Sequence, residues 1–318
     1  MTYIVTGCAG FIGSNLVDKL LSLGHEVLGI DNLSSGQERF LKNAFLNSKF
    51  NFVKGDLLDF ELLKKKFKNS ETIFHLAANA DVRFGTNHPK KDLEQNTIVT
   101  FNVLEAMRMN GAKKIVFSST GSVYGEPSVF PTPEDAPFPI QTSLYAASKI
   151  ACESLISAYC EGYGFQSWIF RFVSILGERY THGHVYDFYK FLKENPKVLP
   201  VLGNGMQKKS YLYVQDCLDA ILLALSNSNK KINLFNLGVN NYCEVRNSIK
   251  WISNYLNLEP KIVYSGGERG WIGDSPFIFL DTKKICSLGW SPKLSIKDGV
   301  IATVNYLKSN EWVFEARK

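Results

Sequence analysis

Tyr145 and Lys149 stand four residues apart in the stretch SLYAASKIACESLI, whose composition predicts a helix. Positions four apart share one helix face, which sets an ammonium beside a phenol hydroxyl. A free tyrosine ionises at a pKa of about 10 and is a poor base near neutrality. A cation about 4 Å away, at an effective dielectric near 20, contributes roughly 4 kcal/mol, worth about three pKa units before desolvation opposes it. The pair is therefore a candidate general acid/base, although Tyr-x-x-x-Lys alone is common and also describes a surface helix pair. Upstream, FSSTGSVYG groups the hydroxyls of Ser118, Ser119 and Thr120 at the end of an apolar run. These can hydrogen-bond a substrate oxygen or simply finish a polar strand terminus.

A parallel sheet is the element that must carry them. The runs TYIVTG, HEVLGID, FNFVKGD, TIFHLAA, KKIVFSST and SWIFRFVSILG have the length and β-branched or aromatic content of buried strands. Amphipathic pieces lie between them, such as SNLVDKLLSLG, whose Leu16, Leu20 and Leu23 share a face before Gly24 closes it. Continuous apolar strands alternating with helices predict an α/β, doubly wound, Rossmann-type fold. The rhythm breaks after about residue 173, where loops lengthen and glycines and aromatics crowd. Residues 1–173 are expected to form a dinucleotide-binding domain to which later segments return. Residues 174–318 are expected to be mainly a smaller, interleaved α/β substrate lobe.

The first strand runs into VTGCAGFIG, with Gly7, Gly10 and Gly13 spaced by three. In that setting Gly7 allows a tight turn, Gly10 lets a pyrophosphate approach the backbone, and Gly13 lets helix and strand pack closely. A ligand-free strand–helix turn competes with this reading if the glycines are taken alone. Asp31 shifts the balance, because it ends the second strand where a carboxylate accepts from adenosine ribose hydroxyls. It would repel a 2′-phosphate, and no arginine follows before Arg39, so NAD is expected over NADP. Asp56 is placed to bracket the adenine or to cap the next helix. Ala77 and Ala78 end the fourth strand and are small enough for a cofactor to lie over the sheet edge.

The glycine turn, Asp31, the hydroxyl-rich strand end and the Tyr145/Lys149 pair together resemble the extended short-chain dehydrogenase/reductase family over nearly the whole chain. DNLSSG, HLAA, LEQNTIVT, SSTGSVYGE, SYLYVQD, GWIGD and LDTKKICSLGWSP are similar to nucleotide-sugar 4-epimerases of the UDP-glucose/UDP-galactose type. The resemblance implies Tyr145 as general acid/base, Lys149 as its activator and nicotinamide-ribose ligand, and Thr120 as hydroxyl partner of the sugar O4. It places Phe11, Ile12, Asn32, Ser35, Gly36, Leu57, Leu76, Asn96 and Ser118 around NAD, Ile12 through its backbone N–H. Asn96 also supports the active-site helix. On the substrate side it implies Ser174, His184, Val185, Lys209, Arg269 and Asp274. Ser174 stands where many relatives carry asparagine, and Trp271 where a second phosphate-binding arginine is often found. Related sugar 4,6-dehydratases follow the threonine with acidic residues, whereas Gly121 and Ser122 stand here. A 4-keto reductase is the next alternative, and a cofactor-sensing regulator without turnover the last.

Bulk properties agree. The net charge is +6 across 318 residues, but the lysines come in dispersed short clusters, so a nucleic-acid surface is not expected. No apolar run reaches the roughly 18 residues of a membrane span, and no secretory signal is recognisable at the start. The six cysteines show neither C-x-x-C pairs nor metal-ligand spacing. A cytoplasmic enzyme without a metal follows as the expectation. His75, in an apolar run, reads as a core histidine. Apolar residues on more than one face of TIVTFNVLEAMRMNG and YAASKIACESLISAYCEGYG fit the helix-paired homodimer that the resemblance implies.

Overall fold

The computed structural model describes residues 2–138, 140–271, 273–275 and 277–316. Its first strand, β1 (Thr2–Thr6), is followed by α1 (Phe11–Ser22), β2 (Glu26–Asp31), β3 (Phe50–Lys54), α2 (Phe60–Lys66) and β4 (Ser70–His75). Two short helices, α3 (Val82–Asn87) and α4 (Pro89–Asp92), precede a π-helical stretch at Leu93–Ile98 that runs into α5 (Val99–Asn110). Then come β5 (Lys114–Thr120), the long α6 (Leu144–Tyr163) and β6 (Gln166–Phe172). A strand at Ile232–Leu237 completes a seven-stranded sheet beside β6, in the order Ile232–Leu237, β6, β5, β4, β1, β2, β3.

The strands from β3 to β5 pair in parallel, with Ile4 opposite both Leu28 and Ile73, and Ile73 opposite Ile115. Parallel strands need crossovers, and the helices that supply them cover the sheet and turn its strands apolar. Ile4, Ile30, Ile73, Ile115 and Phe117 from the strands meet Val103, Leu104 and Met107 of α5 and Cys152 and Ile156 of α6 in one buried cluster. Each such side chain contributes roughly 1.5–3 kcal/mol when fully buried. The expected α/β architecture is what forms.

The chain divides into two compact units. The first comprises Met1–Val123, Ser143–Arg171 and Ile221–Phe235, and the second comprises Tyr124–Thr142, Phe172–Ala220 and Asn236–Lys318. One expectation needs correction. SWIFRFVSILG reads as a single strand, but β6 stops at Phe172 and a separate strand, Ser174–Leu176, pairs in parallel with Tyr211–Tyr213. Apolar continuity conceals the change because both strands are buried, so nothing in composition marks the switch of partner.

The second unit is built from short pieces. Lys208–Lys209 lies between Cys243–Glu244 and Phe277–Ile278, and Val198–Val201 pairs with Lys261–Tyr264. Buried Asp216 fastens the GWSP loop, accepting from the backbone N–H of Lys293 at 3.0 Å and Leu294 at 3.1 Å. Among the described residues no helix is long and apolar enough to cross a membrane, and no cluster of His, Cys, Asp or Glu could hold a metal ion.

Candidate active site

In the first unit, the turn after β1 shows why its glycines are there. Gly7 has φ +69°, and a Cβ on it would lie 2.8 Å from the Cα of Ala77. A Cβ on Gly13 would lie 2.0 Å from the carbonyl oxygen of Gly7, inside contact distance. Gly7 thus serves the turn and Gly13 the packing of α1 on the strand. Gly10 caps α1 without any side-chain bond, and the first turn of the helix holds no acidic residue. The amides of that turn and the positive end of the helix dipole therefore meet no carboxylate from their own helix, which suits an anionic group. Phe11 and Ile12 are half-buried there.

Asp31 closes β2 and is buried. Its Oδ2 accepts from the Ala9 N–H at 2.9 Å and its Oδ1 from the Leu33 N–H at 2.8 Å. Each oxygen keeps a further lone pair for a hydroxyl donor. Burial raises the Asp31 pKa, and the two backbone bonds work against that rise. Gly36 is buried against it, its notional Cβ 2.9 Å from Oδ1, while Ser35 is exposed. Asp56 does not cap α2, because Asp59 does so by accepting from the Leu62 N–H. Asp56 instead accepts from the Asn32 amide at 2.9 Å, tying the ends of β2 and β3. Leu57 joins the core, Leu76 and Ala77 donate their N–H groups to the Thr6 hydroxyl, and half-buried Ala78 follows. His75 is a core histidine, held by Thr6 and Thr100 and pushed down to about 3 by burial, hence neutral.

The end of β5 and the first turns of α6 bring the expected chemical groups together. Ser143 caps α6 by accepting from the Ala146 N–H at 3.2 Å, which fixes the start of the helix at Leu144. The Tyr145 hydroxyl bonds Thr120, whose Oγ1 also accepts from the Ser122 N–H at 3.1 Å. Lys149 is buried, donates to the Ser118 carbonyl at 2.8 Å, and lies 4.7 Å from the Phe117 ring centroid and 6.0 Å from that of Tyr145. Asn96 accepts from the Asn79 N–H at 2.8 Å and donates to the Ser148 hydroxyl of α6 at 2.8 Å.

The electrostatics differ from the sequence-based expectation. Lys149 was expected to pull the Tyr145 pKa down, yet loss of hydration pushes Tyr145 up to about 12, with the Thr120 bond opposing. The same burial drives Lys149 down to about 8. A dry site penalises both charged forms.

Sequence reasoning passed over the pair that braces this region. Glu153, one turn beyond Lys149, meets Arg171 of β6 in a two-pronged ion pair, with Nη2 to Oε2 at 2.7 Å and Nε to Oε1 at 3.1 Å. The Ser119 hydroxyl also donates to Glu153. Both ionic side chains are buried, 8% and 3% exposed. The four-residue step from Lys149 to Glu153 was the available signal, because it continues the buried face of α6.

In the second unit, the substrate-side candidates form their own cluster. Lys209 bonds Asp274 at 2.7 Å and the Ser275 carbonyl, and its Nζ lies 5.9 Å from the Trp271 ring. Arg269 donates to the Asp274 carbonyl at 3.0 Å and pairs with Glu126. The two expected phosphate cations are thus engaged by carboxylates of the same unit. Burial lowers the Lys209 pKa while Asp274 raises it. His184 opens the helix His184–Glu194, 4.7 Å from the Tyr211 ring, and its buried Nε2 makes no hydrogen bond among the described residues. Desolvation holds it near 3 and therefore neutral. Val185 has a fully buried side chain, which leaves only its backbone for a ligand, and Ser174 is exposed at its strand start.

A sequence profile described as the NAD dependent epimerase/dehydratase family matches residues 3–238. The chain belongs to this family. A UDP-glucose 4-epimerase of Mycolicibacterium smegmatis is 33% identical over 97% of this chain and 99% of its own length. A UDP-glucuronate 4-epimerase of Thermodesulfobacterium geofontis is 31% identical over 97% and 96%. Among solved structures, a dTDP-glucose 4,6-dehydratase from Streptomyces venezuelae with NAD bound superposes with a TM-score of 0.92 at 26% identity, covering all of both chains. Epimerases and a dehydratase of this NAD-dependent family are therefore similar to this chain over nearly its whole length.

Proposed function

We propose that the chain is an NAD-dependent 4-epimerase of a UDP-hexose, with UDP-glucose and UDP-galactose the first pair to test. The carrying observation is the Thr120–Tyr145 hydroxyl pair beside buried Lys149, followed by Gly121 and Ser122 where elimination chemistry would need carboxylates. NAD fits the first unit. The uncapped start of α1 and the bare Gly7–Gly13 turn suit its pyrophosphate, and Asp31 retains lone pairs for its ribose hydroxyls. When bound, the cofactor takes up the hydride from sugar C4 and later returns it.

The protein's own groups handle the proton. Thr120 orients the sugar O4, Tyr145 removes its proton as the C4–H bond breaks, and the 4-keto sugar is left. Lys149 stabilises the tyrosinate, and Tyr145 returns the proton once the ring has turned and hydride has reached its other face. The Lys209–Asp274–Arg269 cluster, with His184 and the Val185 backbone, is assigned to the nucleotide and diphosphate end. There the phosphate charge exchanges for the carboxylates that the two cations now hold. The dehydratase reading shares the first oxidation, and the fold likeness to a 4,6-dehydratase favours it. It then needs an acid and a base for loss of water, and Glu153, one carboxylate of the region, is locked to Arg171.

Exposed Ile98 at the end of the π-helical stretch, Phe101 and Met109 along α5, and Leu144 and Tyr163 on α6 support assembly as a homodimer. Six free thiols accord with a reducing compartment such as the cytoplasm. The test is UDP-galactose in deuterated water followed by proton NMR. UDP-glucose that retains protium at C4 is expected, because the stored hydride returns. A 4-keto-6-deoxy sugar would replace the epimerase by the dehydratase, and turnover of UDP-glucuronate alone would move the substrate to a uronic acid.

A further inference from the structure

Asp92, at the end of α4, is 1% exposed. Its Oδ1 accepts from the Asn79 amide at 2.9 Å and the Asn96 amide at 3.3 Å. Its Oδ2 has no hydrogen-bond partner among the described residues, and faces Gly85 of α3, where a Cβ would lie only 2.0 Å away. A buried carboxylate oxygen without a donor costs stability, and such groups are few in native proteins. The backbone beside Asp92 is also unusual. The π-helical stretch Leu93–Ile98 begins at the next residue, and π-turns inside helices occur often at functional sites.

From Asp92 a hydrogen-bond chain leads into the active site. Asn96, held by Asp92, donates to the Ser148 hydroxyl at 2.8 Å, and Ser148 donates to the carbonyl of Tyr145 at 2.7 Å. Lys149 is the next residue on α6. The remaining buried carboxylate of this region, Glu153, is already neutralised by Arg171.

We propose that Asp92 is a positioning residue whose buried carboxylate orients Asn96, and through it the Ser148–Tyr145 turn from which Lys149 follows. Its charge favours protonation of both Lys149 and Tyr145. Cys152 and Glu153 also face Lys149 from α6, His75 faces it from β4, and Asp81 faces Asp92 from the start of α3. Asp92 itself is raised by burial. The sign follows: a carboxyl whose folded pKa lies above its unfolded value contributes stability in acid and loses it as pH rises through the folded pKa. The ionised form is therefore held against the stability of the fold.

The test is Asp92→Asn, which keeps the shape and the accepting oxygen and removes the charge. Lysine labelled with carbon-13 at Cε, with the Lys149 signal assigned by Lys149→Met, gives the Lys149 midpoint by NMR titration without any substrate. The midpoint is expected to fall by roughly one pH unit, and Tm at pH 7 to stay level or rise. In turnover, which rests on the epimerase reading, the pH profile should move toward acid by a similar amount with KM unchanged. An unmoved Lys149 midpoint overturns the proposal, and a lower Tm with that unmoved midpoint assigns Asp92 to folding alone. A shifted midpoint in a protein that epimerises no UDP-hexose upholds it and refutes the substrate assignment instead. Asp92→Ser also removes the charge and serves the same titration if the Asn variant does not fold.

Discussion

Replacing Glu153 by alanine tests what holds α6 against the ends of β5 and β6. The substitution leaves the Arg171 guanidinium, 3% exposed, without its carboxylate, and the Ser119 hydroxyl without its acceptor. Breaking a buried pair from one side costs about 3–5 kcal/mol, because the surviving charge stays buried after its carboxylate is gone. A unit of this size loses about 2–4 °C of Tm per kcal/mol, so a fall of roughly 6–20 °C is expected in a thermal melt followed by circular dichroism. Removing both charges together, as Glu153→Leu with Arg171→Met, should recover much of that loss, since a buried pair is often no more stable than apolar residues of similar volume. A single variant within about 1 kcal/mol of wild type, or a double variant as unstable as the two single losses added, would refute the reasoning.

Tyr145→Phe should abolish epimerisation while leaving the melt and calorimetric NAD binding close to wild type, because only the Thr120-bonded hydroxyl is lost. Gly13→Ala sets a Cβ 2.0 Å from the Gly7 carbonyl oxygen, and is expected to lower both Tm and NAD affinity, read by thermal shift with and without NAD. Asp31→Ala removes the acceptor of the Ala9 N–H and should weaken NAD while narrowing its margin over NADP in calorimetry. Activity should decline as pH rises through about 8, where buried Lys149 gives up its proton, and a plateau through pH 9 in steady-state rates would contradict that role.

Local chemistry was the readable part of this chain. Gly7 and Gly13 announce their turn because only glycine tolerates a positive φ and a carbonyl at that distance, and both constraints act within one β–α step. Tyr145 and Lys149 share a face by helical period alone, and Thr120 meets them because β5 ends beside the start of α6. What stayed hidden depends on separation or on degree of burial. Glu153 and Arg171 lie 18 residues apart on different elements, and neither flank marks them as partners. Asp92 looks like a charge on a solvated helix among Lys90, Lys91 and Glu94, and only packing against α3 and α6 shows it to be enclosed. The net Tyr145 shift stayed hidden for a related reason, since spacing conveys proximity to a cation but not how strongly desolvation opposes it.

The sheet of the first unit also carries a consequence for synthesis. Its three chain segments are separated by stretches that belong to the second unit, and the strand beside β6 arrives only at Ile232–Leu237. During translation the backbone edge of β6 stays open for some sixty residues after it leaves the ribosome, a delay of several seconds at about 5–20 residues per second. An unpaired edge next to apolar Trp168, Ile169 and Phe170 is a template for association with other chains. Truncation anywhere before residue 232 should therefore yield an aggregating fragment rather than an independent dinucleotide-binding domain, and chaperone demand should peak while the second unit is still being made.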